Sequence, residues 1–242
     1  MNRIRLDKFL SSQLNISRRG AKKLLGRKEV SVNGSTAVKG EQIIDADSDS
    51  VKLNGKEILY KKHIYIMLNK PVGVVSASKG AGDVTVIDIL PEKMKTGGLF
   101  PAGRLDRDTT GFVLITNDGE FAHNILSPRH HVPKRYEVTA DRLLTPEEIS
   151  LFENGMTIGG ELLKPAKISL IEYGENTEKP VYELIITQGL YHQIKRMFAA
   201  VGGRVLYLHR SAIGGLELDK NLAPGGAREI SESELMLICG VK

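Results

Sequence analysis

The sequence predicts an α+β protein with two domains: a small N-terminal domain and a larger one built on a mixed, mainly antiparallel β-sheet with helices packed on it. The chain has 242 residues, which exceeds the usual size of a single domain. Its first 60 residues show two helical patterns followed by short strands. Beyond residue 60 most apolar segments have the length of strands, with helical segments between them. The predicted domains are therefore residues 1–60 and 61–242.

Local signals define the elements of the first domain. Apolar residues recur at helical spacing from Leu6 to Leu14. Ser17 is a residue type that caps a helix N-terminus and Gly26 is one that ends a helix, so a second helix is predicted between them. The pairs Asn33-Gly34 and Asn54-Gly55 are typical of tight hairpin turns. Two helices followed by hairpin-linked strands are therefore expected.

In the second domain the apolar patterns predict more strands than helices. Strands are predicted at residues 64–68, 112–116, 135–139, 167–171 and 182–187, and helices at residues 122–126, 146–154 and 192–201. The strands are too numerous for a helical bundle, and their order favours antiparallel pairing over a regular alternation of strand and helix. This is the basis of the predicted sheet.

The positive charge of the chain is concentrated at its N-terminus. The net charge is +5, and residues 1–60 alone hold 12 Lys and Arg against 7 Asp and Glu. Four basic residues form two i,i+4 pairs on the predicted second helix: Arg18, Arg19, Lys22 and Lys23. Such pairs repel each other by a few tenths of a kcal/mol, and a bound phosphate backbone would remove that cost. We therefore expect contact with a polyanion to begin here.

The composition is not that of a membrane or disulfide-bonded protein. No segment approaches the roughly 20 apolar residues of a membrane-spanning helix, and the first residues lack the apolar centre of a signal peptide. The single cysteine, Cys239, cannot form an internal disulfide, which fits a reducing compartment. We therefore expect a cytoplasmic protein with no membrane partner.

The strongest chemical signal is the run from Gly103 to Gly111, which reads Gly-Arg-Leu-Asp-Arg-Asp-Thr-Thr-Gly. It places Asp106 on a short connection before an apolar strand. The flanking Arg104 and Arg107 are expected to favour the ionised carboxylate, because each positive charge stabilises it. An ionised carboxylate on a tight loop is what nucleophilic catalysis by aspartate requires.

Four stretches in order resemble the motifs of the pseudouridine synthases. They are Met-Leu-Asn-Lys-Pro-Val-Gly at 67–73, the Asp106 loop, Lys-Arg-Tyr-Glu-Val at 134–138, and Thr-Gln-Gly-Leu-Tyr-His-Gln-Ile-Lys-Arg-Met-Phe at 187–198, which continues to residue 215. The string Ser-Pro-Arg-His-His at 127–131 and the order of residues 191–196 are similar to the branch that acts on small-subunit ribosomal RNA. The first domain resembles the S4 RNA-binding module at residues 5–10 and 17–25.

The resemblance implies roles for individual residues. Asp106 would attack the target nucleoside, so that the uracil detaches, rotates and rejoins through carbon 5. Tyr136 would lie against the target base and take its proton, and Lys195 would pair with Asp106. Arg104 would fill the gap left by the extruded base, and Leu208 would give the uracil an apolar contact.

Further expectations concern Arg196, the RNA partner, the oligomeric state and cofactors. Arg196 is a second cation beside Lys195, and because a helix turns about 100° per residue only one of the two can face Asp106. We expect the other to contact RNA. The implied partner is 16S ribosomal RNA, free or in a partly assembled small subunit, and the protein is expected to be a monomer. The resemblance implies no metal, nucleotide or redox cofactor.

Three alternatives remain open from the sequence. The enzyme could act on a uridine of 23S ribosomal RNA instead. Asp106, Asp108 and Thr110 also fit the Asp-x-Asp-x-Thr pattern of the haloacid dehalogenase phosphatases, although that motif requires a parallel sheet and a preceding apolar strand. Finally, the basic N-terminal domain alone would satisfy a non-catalytic RNA-binding or ribosome-assembly factor. The histidines have the spacing of no standard metal site.

Overall fold

The computed structural model describes residues 2–127, 132–174 and 177–240. The chain divides into two compact units, Met1–Ile64 with Pro91–Leu99, and Tyr65–Leu90 with Phe100–Lys242. This division lies four residues after the predicted boundary and adds to the first unit a later segment containing a 3₁₀ turn, Glu92–Met94. Four of the five residues in the string at 127–131, including two of the histidines, lie outside the described residues.

The first unit contains two helices and two small antiparallel sheets. Its elements are β1 (Arg3–Arg5), α1 (Leu6–Gln13), α2 (Arg18–Gly26), β2 (Val30–Val32), β3 (Ser35–Thr36), β4 (Ile43–Asp45), β5 (Val51–Leu53) and β6 (Lys56–Glu57). β1 pairs with β4, and the other strands pair in the order β3-β2-β5-β6. Both helices bury apolar residues in one core, which includes Leu6, Phe9, Leu25 and Val30.

The local signals of this unit are confirmed. The hydroxyl of Ser17 accepts a hydrogen bond from the Gly20 amide at 3.1 Å, which caps α2, and the helix ends at Gly26. Asn33 and Gly34 both have positive φ, as do Asn54 and Gly55, and each pair connects two antiparallel strands. Positive φ at both central residues is the geometry that makes Asn-Gly favourable in a tight hairpin.

The second unit contains the remaining strands and helices. Its elements are β7 (Tyr65–Lys70), β8 (Phe100–Ala102), β9 (Thr110–Thr116), α3 (Gly119–Leu126), β10 (Lys134–Ala140), α4 (Pro146–Asn154), β11 (Thr157–Ile158), β12 (Glu161–Leu162), β13 (Lys167–Gly174), β14 (Thr177–Ile186), α5 (Gln193–Ala200), β15 (Val205–Ile213), β16 (Leu216–Glu217), β17 (Ala227–Glu229) and α6 (Glu232–Cys239). None of the described helices is long and apolar enough to cross a membrane.

A nine-stranded sheet organises the second unit. The strand order is β13-β14-β10-β15-β9-β7-β17, with β16 added to β15 and β8 to β9. The pairing of β9 with β15 is parallel and the other pairings in this sheet are antiparallel. The predicted mixed, mainly antiparallel sheet is therefore confirmed. β9 is buried along its whole length, because it lies near the middle of the sheet.

Candidate active site

Asp106 lies on the connection between β8 and β9, whose backbone is held on both sides of the carboxylate. Before it, the Ser76 hydroxyl donates to the Leu105 carbonyl at 2.9 Å and accepts from the Leu105 amide at 3.1 Å. After it, the Thr109 amide donates to the Asp106 carbonyl at 3.1 Å and closes a turn. The loop that carries the carboxylate is therefore fixed by its own hydrogen bonds and by those of Ser76.

Lys70 binds the backbone of the same loop. Its side chain is fully buried, and its ammonium donates to the carbonyls of Thr109 at 2.7 Å, Pro71 at 3.1 Å and Arg107 at 3.3 Å. Burial lowers the pKa of Lys70 to about 8, because the buried cation loses its hydration. The lysine of the first sequence motif therefore binds the backbone of the Asp106 loop.

Gly111 has a steric reason to be glycine. Its φ is +99°, and a Cβ there would lie 2.4 Å from the Arg210 carbonyl oxygen of β15. Gly111 and Arg210 are partners in the parallel pairing of β9 with β15. A side chain would force the two strands apart at the point where the Asp106 loop enters the sheet.

Lys195 of α5 is the cation beside Asp106. Its ammonium lies 3.2 Å from Asp106 Oδ2 and 2.6 Å from Asp108 Oδ1. The hydrogen bond from Lys195 lowers the pKa of Asp108. Burial lowers the pKa of Lys195, but its hydrogen bonds to Asp108 and Asp106 outweigh this and raise the pKa overall. The predicted pairing of Lys195 with Asp106 is therefore present in the structure.

Arg196 faces away from Asp106 and is bound within the protein. Its guanidinium forms an ion pair with Glu161 at 3.0 Å and donates to the carbonyls of Ile158 at 3.2 Å and Tyr191 at 3.4 Å. These internal partners hold the side chain, and the expected contact of Arg196 with RNA remains a prediction. Arg196 anchors the segment that precedes α5.

The arginines that flank Asp106 in the sequence do not neutralise it. Arg107 pairs with Asp83 at 3.3 Å and donates to the Gly73 carbonyl at 3.2 Å. Arg104 is exposed and lines the cleft, and within the described part of the chain its side chain makes no hydrogen bond or ion pair. Contrary to the expectation from the sequence, neither arginine forms an ion pair with Asp106 among the described residues, and Lys195 of α5 takes that place.

Two strands of the sheet contribute side chains to the cleft. Tyr136 on β10 and Leu208 on β15 are both buried and line the same cavity of about 460 Å³ as Asp106 and Lys195. The two strands are neighbours, with Val138 paired to Leu208. A flat ring entering the cavity would therefore meet a phenol and an aliphatic side chain as well as the carboxylate.

Arg210 is a site residue that the sequence analysis missed. It is only 2% exposed, and its guanidinium donates to the carbonyls of Phe112 and Gly103, each at 2.7 Å. A third bond, at 3.4 Å, runs to the Tyr136 hydroxyl. Gly103 precedes the Asp106 loop and Phe112 follows it, so one side chain connects both ends of the loop to Tyr136. The Leu-His-Arg sequence following the α5 motif was the available signal.

Lys134 is a second buried cation that the sequence analysis did not identify as a site residue. It lines the cleft, and its ammonium lies 3.5 Å from the Ile125 carbonyl. Burial, together with the charge of Arg210, lowers the pKa of Lys134 to about 8. In the described residues neither Lys134 nor Arg210 has a carboxylate within ion-pair distance, so this wall carries uncompensated positive charge.

His192 was also missed as a site residue, and it lies near the carboxylate oxygen of Asp106 that is not paired with Lys195. Its Nε2 lies 3.5 Å from Asp106 Oδ1, an ion pair when the ring is protonated. The residue has φ +48°, which is unusual for a side chain larger than glycine. Among the residues that the structure describes, no group of three or more His, Cys, Asp or Glu is arranged to hold a metal ion.

Comparison with known proteins assigns this site to a family. The profile of the RNA pseudouridylate synthases matches residues 64–200, which include Asp106, Tyr136 and Lys195. The chain belongs to the RNA pseudouridylate synthase family. The phosphatase and the non-catalytic alternatives are therefore set aside, and the protein is an RNA pseudouridine synthase. The mixed sheet also lacks the parallel strand order that the phosphatase motif requires.

Two relatives and one crystal structure align with the synthase over nearly its whole length. An uncharacterized RNA pseudouridine synthase of Bacillus subtilis (strain 168) is 44% identical over 237 residues, 97% of this chain and 98% of the relative. The ribosomal small subunit pseudouridine synthase A of Escherichia coli (strain K12) is 41% identical over 236 residues, 96% and 98% of the two chains. A crystal structure of a pseudouridylate synthase is 35% identical, with a TM-score of 0.66, covering 97% and 99%.

Proposed function

We propose that this synthase isomerises one specific uridine of 16S ribosomal RNA, with Asp106 as the nucleophile. The observation that carries the proposal is the Asp106 carboxylate, held on a fixed loop in the cleft with the Lys195 ammonium at 3.2 Å. Identities of 40% and 41% with enzymes named ribosomal small subunit pseudouridine synthase A support the choice of RNA.

The reaction rearranges bonds and leaves the composition of the RNA unchanged. Asp106 attacks the target nucleoside at carbon 6 of the base or at the sugar carbon, and both schemes break the bond between N1 and the sugar. The uracil rotates, carbon 5 bonds to the sugar carbon, the proton on carbon 5 leaves and N1 takes up a proton. The carboxylate is released at the end. The Lys195 ammonium, 3.2 Å from Asp106 Oδ2, holds the carboxylate in position for nucleophilic attack.

Tyr136 and Leu208 hold the uracil during its rotation. Both line the same cavity as Asp106, where a phenol ring and an aliphatic side chain can cover the faces of a detached base. The Tyr136 hydroxyl accepts a hydrogen bond from Arg210 at 3.4 Å, which orients its oxygen. We assign to this oxygen the removal of the proton from carbon 5, since a general base must lie within hydrogen-bond reach of the proton.

Arg104 replaces the uridine that leaves the RNA stack. Extruding a stacked base costs a few kcal/mol, and a planar guanidinium can stack in the vacant space while binding phosphate. Arg104 is exposed at the cleft and makes no side-chain hydrogen bond or ion pair with any described residue. It is therefore available to enter the RNA at no cost in broken protein contacts.

The N-terminal unit docks the RNA through α2. Arg18, Arg19, Lys22 and Lys23 are all exposed on this helix. Lys22 pairs with Glu41 at 3.3 Å, and the other three have no carboxylate within 4.0 Å in the described residues. Two helices with a basic second helix, followed by short strands, support an S4-like function for this unit. Phosphate contacts made here would add affinity independent of sequence.

The choice of RNA is tested by mapping the product. Purified synthase would be incubated with unmodified 16S and 23S transcripts, each bare and bound to ribosomal proteins, and pseudouridine located by carbodiimide modification and reverse-transcription stops. One new site in 16S RNA is expected, and the bare and protein-bound samples identify the form that is recognised. Modification of 23S RNA alone would overturn the 16S assignment and favour the large-subunit alternative.

The docking role is tested by salt titration. Reversing the charges of Arg18, Arg19, Lys22 and Lys23 to Glu should weaken RNA binding and reduce the slope of log K against log salt by roughly 0.7–0.9 for each lost phosphate contact. Lys179→Glu, an exposed change in the other unit, controls for the effect of a single charge reversal. An unchanged slope in the quadruple variant would refute docking through α2.

A further inference from the structure

A highly exposed aromatic ring borders the catalytic cleft. Tyr191 is 78% exposed, and it lies between Leu190 and His192, both of which line the cleft. One face of its ring is stacked on His192, with ring centroids 3.8 Å apart and planes inclined by 17°. The high exposure of Tyr191 indicates that the opposite face is open. His192 in turn lies 3.5 Å from Asp106, so a continuous contact path runs from the open ring to the carboxylate.

The segment that carries this ring is held in a fixed conformation. The buried Gln193 accepts from the Leu190 amide through its side chain at 3.2 Å, and its own amide donates to the Leu190 carbonyl at 3.2 Å. Arg196 donates to the Tyr191 carbonyl at 3.4 Å. His192 has φ +48°, a conformation that persists in a non-glycine residue only when the surroundings enforce it. The protein therefore fixes an aromatic ring in a position where it contributes little to the core.

We propose that the open face of Tyr191 is a stacking site for the nucleobase adjacent to the target uridine. The inference rests on the proposed function, because it assumes that the target uridine enters the cleft. When that uridine leaves its stack, the bases on both sides of it lose a partner. Arg104 can cover one of them, and the other can stack on Tyr191, because unpaired RNA bases stack readily on aromatic side chains. Tyr191 offers such a face directly beside the route to Asp106.

A nucleobase fits this ring better than a protein surface does. A protein interface buries a contiguous patch of apolar side chains, whereas the residues on either side of Tyr191 are Leu190 and His192, both partly buried. Exposed or half-buried cations lie nearby in the same cleft, Arg104 and Lys195. A single aromatic plane beside positive charge is the arrangement that binds single-stranded nucleic acid.

The test separates the aromatic plane from the bulk of the side chain. Tyr191→Phe and Tyr191→Trp keep a stacking face, whereas Tyr191→Leu keeps apolar volume without one. We expect the Phe and Trp variants to bind the substrate RNA like wild type and the Leu variant to show a Kd and KM roughly 5- to 150-fold higher. Its kcat at saturating RNA should change less than its KM.

A modified RNA identifies the stacked base. Substrates with an abasic site on the 5′ or the 3′ side of the target uridine should weaken wild-type binding for one of the two positions. That substitution should have little further effect on Tyr191→Leu, since the stack is already lost. Equal binding by wild type and Tyr191→Leu, or fully additive effects, would overturn the stacking site. If the stacking site is overturned but wild type still converts the target uridine, the proposed function stands. If wild type converts no uridine in this RNA, the proposed function is itself refuted.

Discussion

The Lys195 ammonium lies 3.2 Å from the Asp106 carboxylate and only 2.6 Å from that of Asp108, so two acidic residues share one cation. Asp108 is the more exposed partner, with 69% of its side chain accessible against 30% for Asp106. The shorter bond therefore restrains Lys195 from the solvent side, and the longer one stabilises the proposed nucleophile. Lys195 thereby contacts both acids of the Asp-Arg-Asp sequence at once.

Removing the shared cation should impair catalysis more than removing Asp108. Lys195→Met leaves Asp106 without its nearest cation in a partly buried cleft, and we expect kcat to fall by roughly 100-fold or more, the scale of losing one preorganised electrostatic partner. Lys195→Arg keeps the charge and should restore part of the activity. Asp108→Asn leaves Lys195 free to pair with Asp106 and should cost about tenfold or less. A kcat for Lys195→Met equal to that of Asp108→Asn would contradict this assignment.

Arg210 should act on catalysis by positioning the loop and Tyr136. Arg210→Lys keeps the charge but cannot reach the Phe112 and Gly103 carbonyls and the Tyr136 hydroxyl together. A buried carbonyl without a partner costs about 1–3 kcal/mol, so the free energy of unfolding should decrease by about that amount.

The kinetic effect of Arg210→Lys shows whether Arg210 positions catalytic groups or only stabilises the fold. At a temperature where Arg210→Lys is folded, kcat should fall while the Kd for RNA stays close to that of wild type. Tyr136→Phe loses both the bond to Arg210 and the proposed base, so its kcat should fall at least as far as that of Arg210→Lys. Unchanged kcat in the folded Arg210→Lys variant would show that Arg210 has no role in positioning.

Gly111 should not tolerate a side chain. A Cβ there would lie 2.4 Å from the Arg210 carbonyl oxygen, and φ is +99°, so Gly111→Ala should lower the free energy of unfolding by about 2 kcal/mol or more. Gly119→Ala is the control, because nothing lies within 4 Å of its Cβ position. Urea titration measures both. Equal stability of the two variants would contradict the close approach of Gly111 to the backbone of β15.

The burial of Lys134 predicts a specific pH dependence of stability. Its pKa is lowered to about 8 from 10.5, so between these values the unfolded chain binds more protons than the folded one. Stability contributed by this group therefore rises with pH from about 8 to 10.5, and its penalty is fully present below about 8. Lys134→Met has no ammonium to titrate at this position, so the free energy of unfolding of wild type should rise relative to that of Lys134→Met as the pH increases. A constant difference across urea titrations from pH 7 to 10 would contradict the buried ammonium.

Local physics explains which elements the sequence predicted well. The bounds predicted for α4, residues 146–154, are those observed, because Thr145 and Glu148 form a capping box and Pro146 occupies the first turn. The hairpin turns at Asn33-Gly34 and Asn54-Gly55 depend only on backbone preferences of adjacent residues. Signals that lie within a few residues of each other can be identified without knowledge of the tertiary structure.

The missed features depend on distant contacts. β15 was not predicted as a strand because His209 and Arg210 interrupt its apolar pattern, and Arg210 is buried only because carbonyls from Gly103 and Phe112 receive its N–H groups. Likewise the loop sequence favours Arg104 and Arg107 as partners of Asp106, yet Lys195 supplies the charge from α5, 89 positions later. A motif can identify such residues, but which groups they contact becomes known only from the folded structure.

Asp106 is the proposed nucleophile of an isomerase that acts on small-subunit RNA. Release of tritium from 16S RNA labelled at carbon 5 of uridine follows this reaction directly, because the proton on carbon 5 must leave. The samples are wild type, Asp106→Asn and Glu153→Gln, an exposed carboxylate of α4 outside the cleft. We predict release by wild type and Glu153→Gln and none by Asp106→Asn, with RNA binding and unfolding unchanged. Tritium release by folded Asp106→Asn at the wild-type rate would show that Asp106 is not the nucleophile.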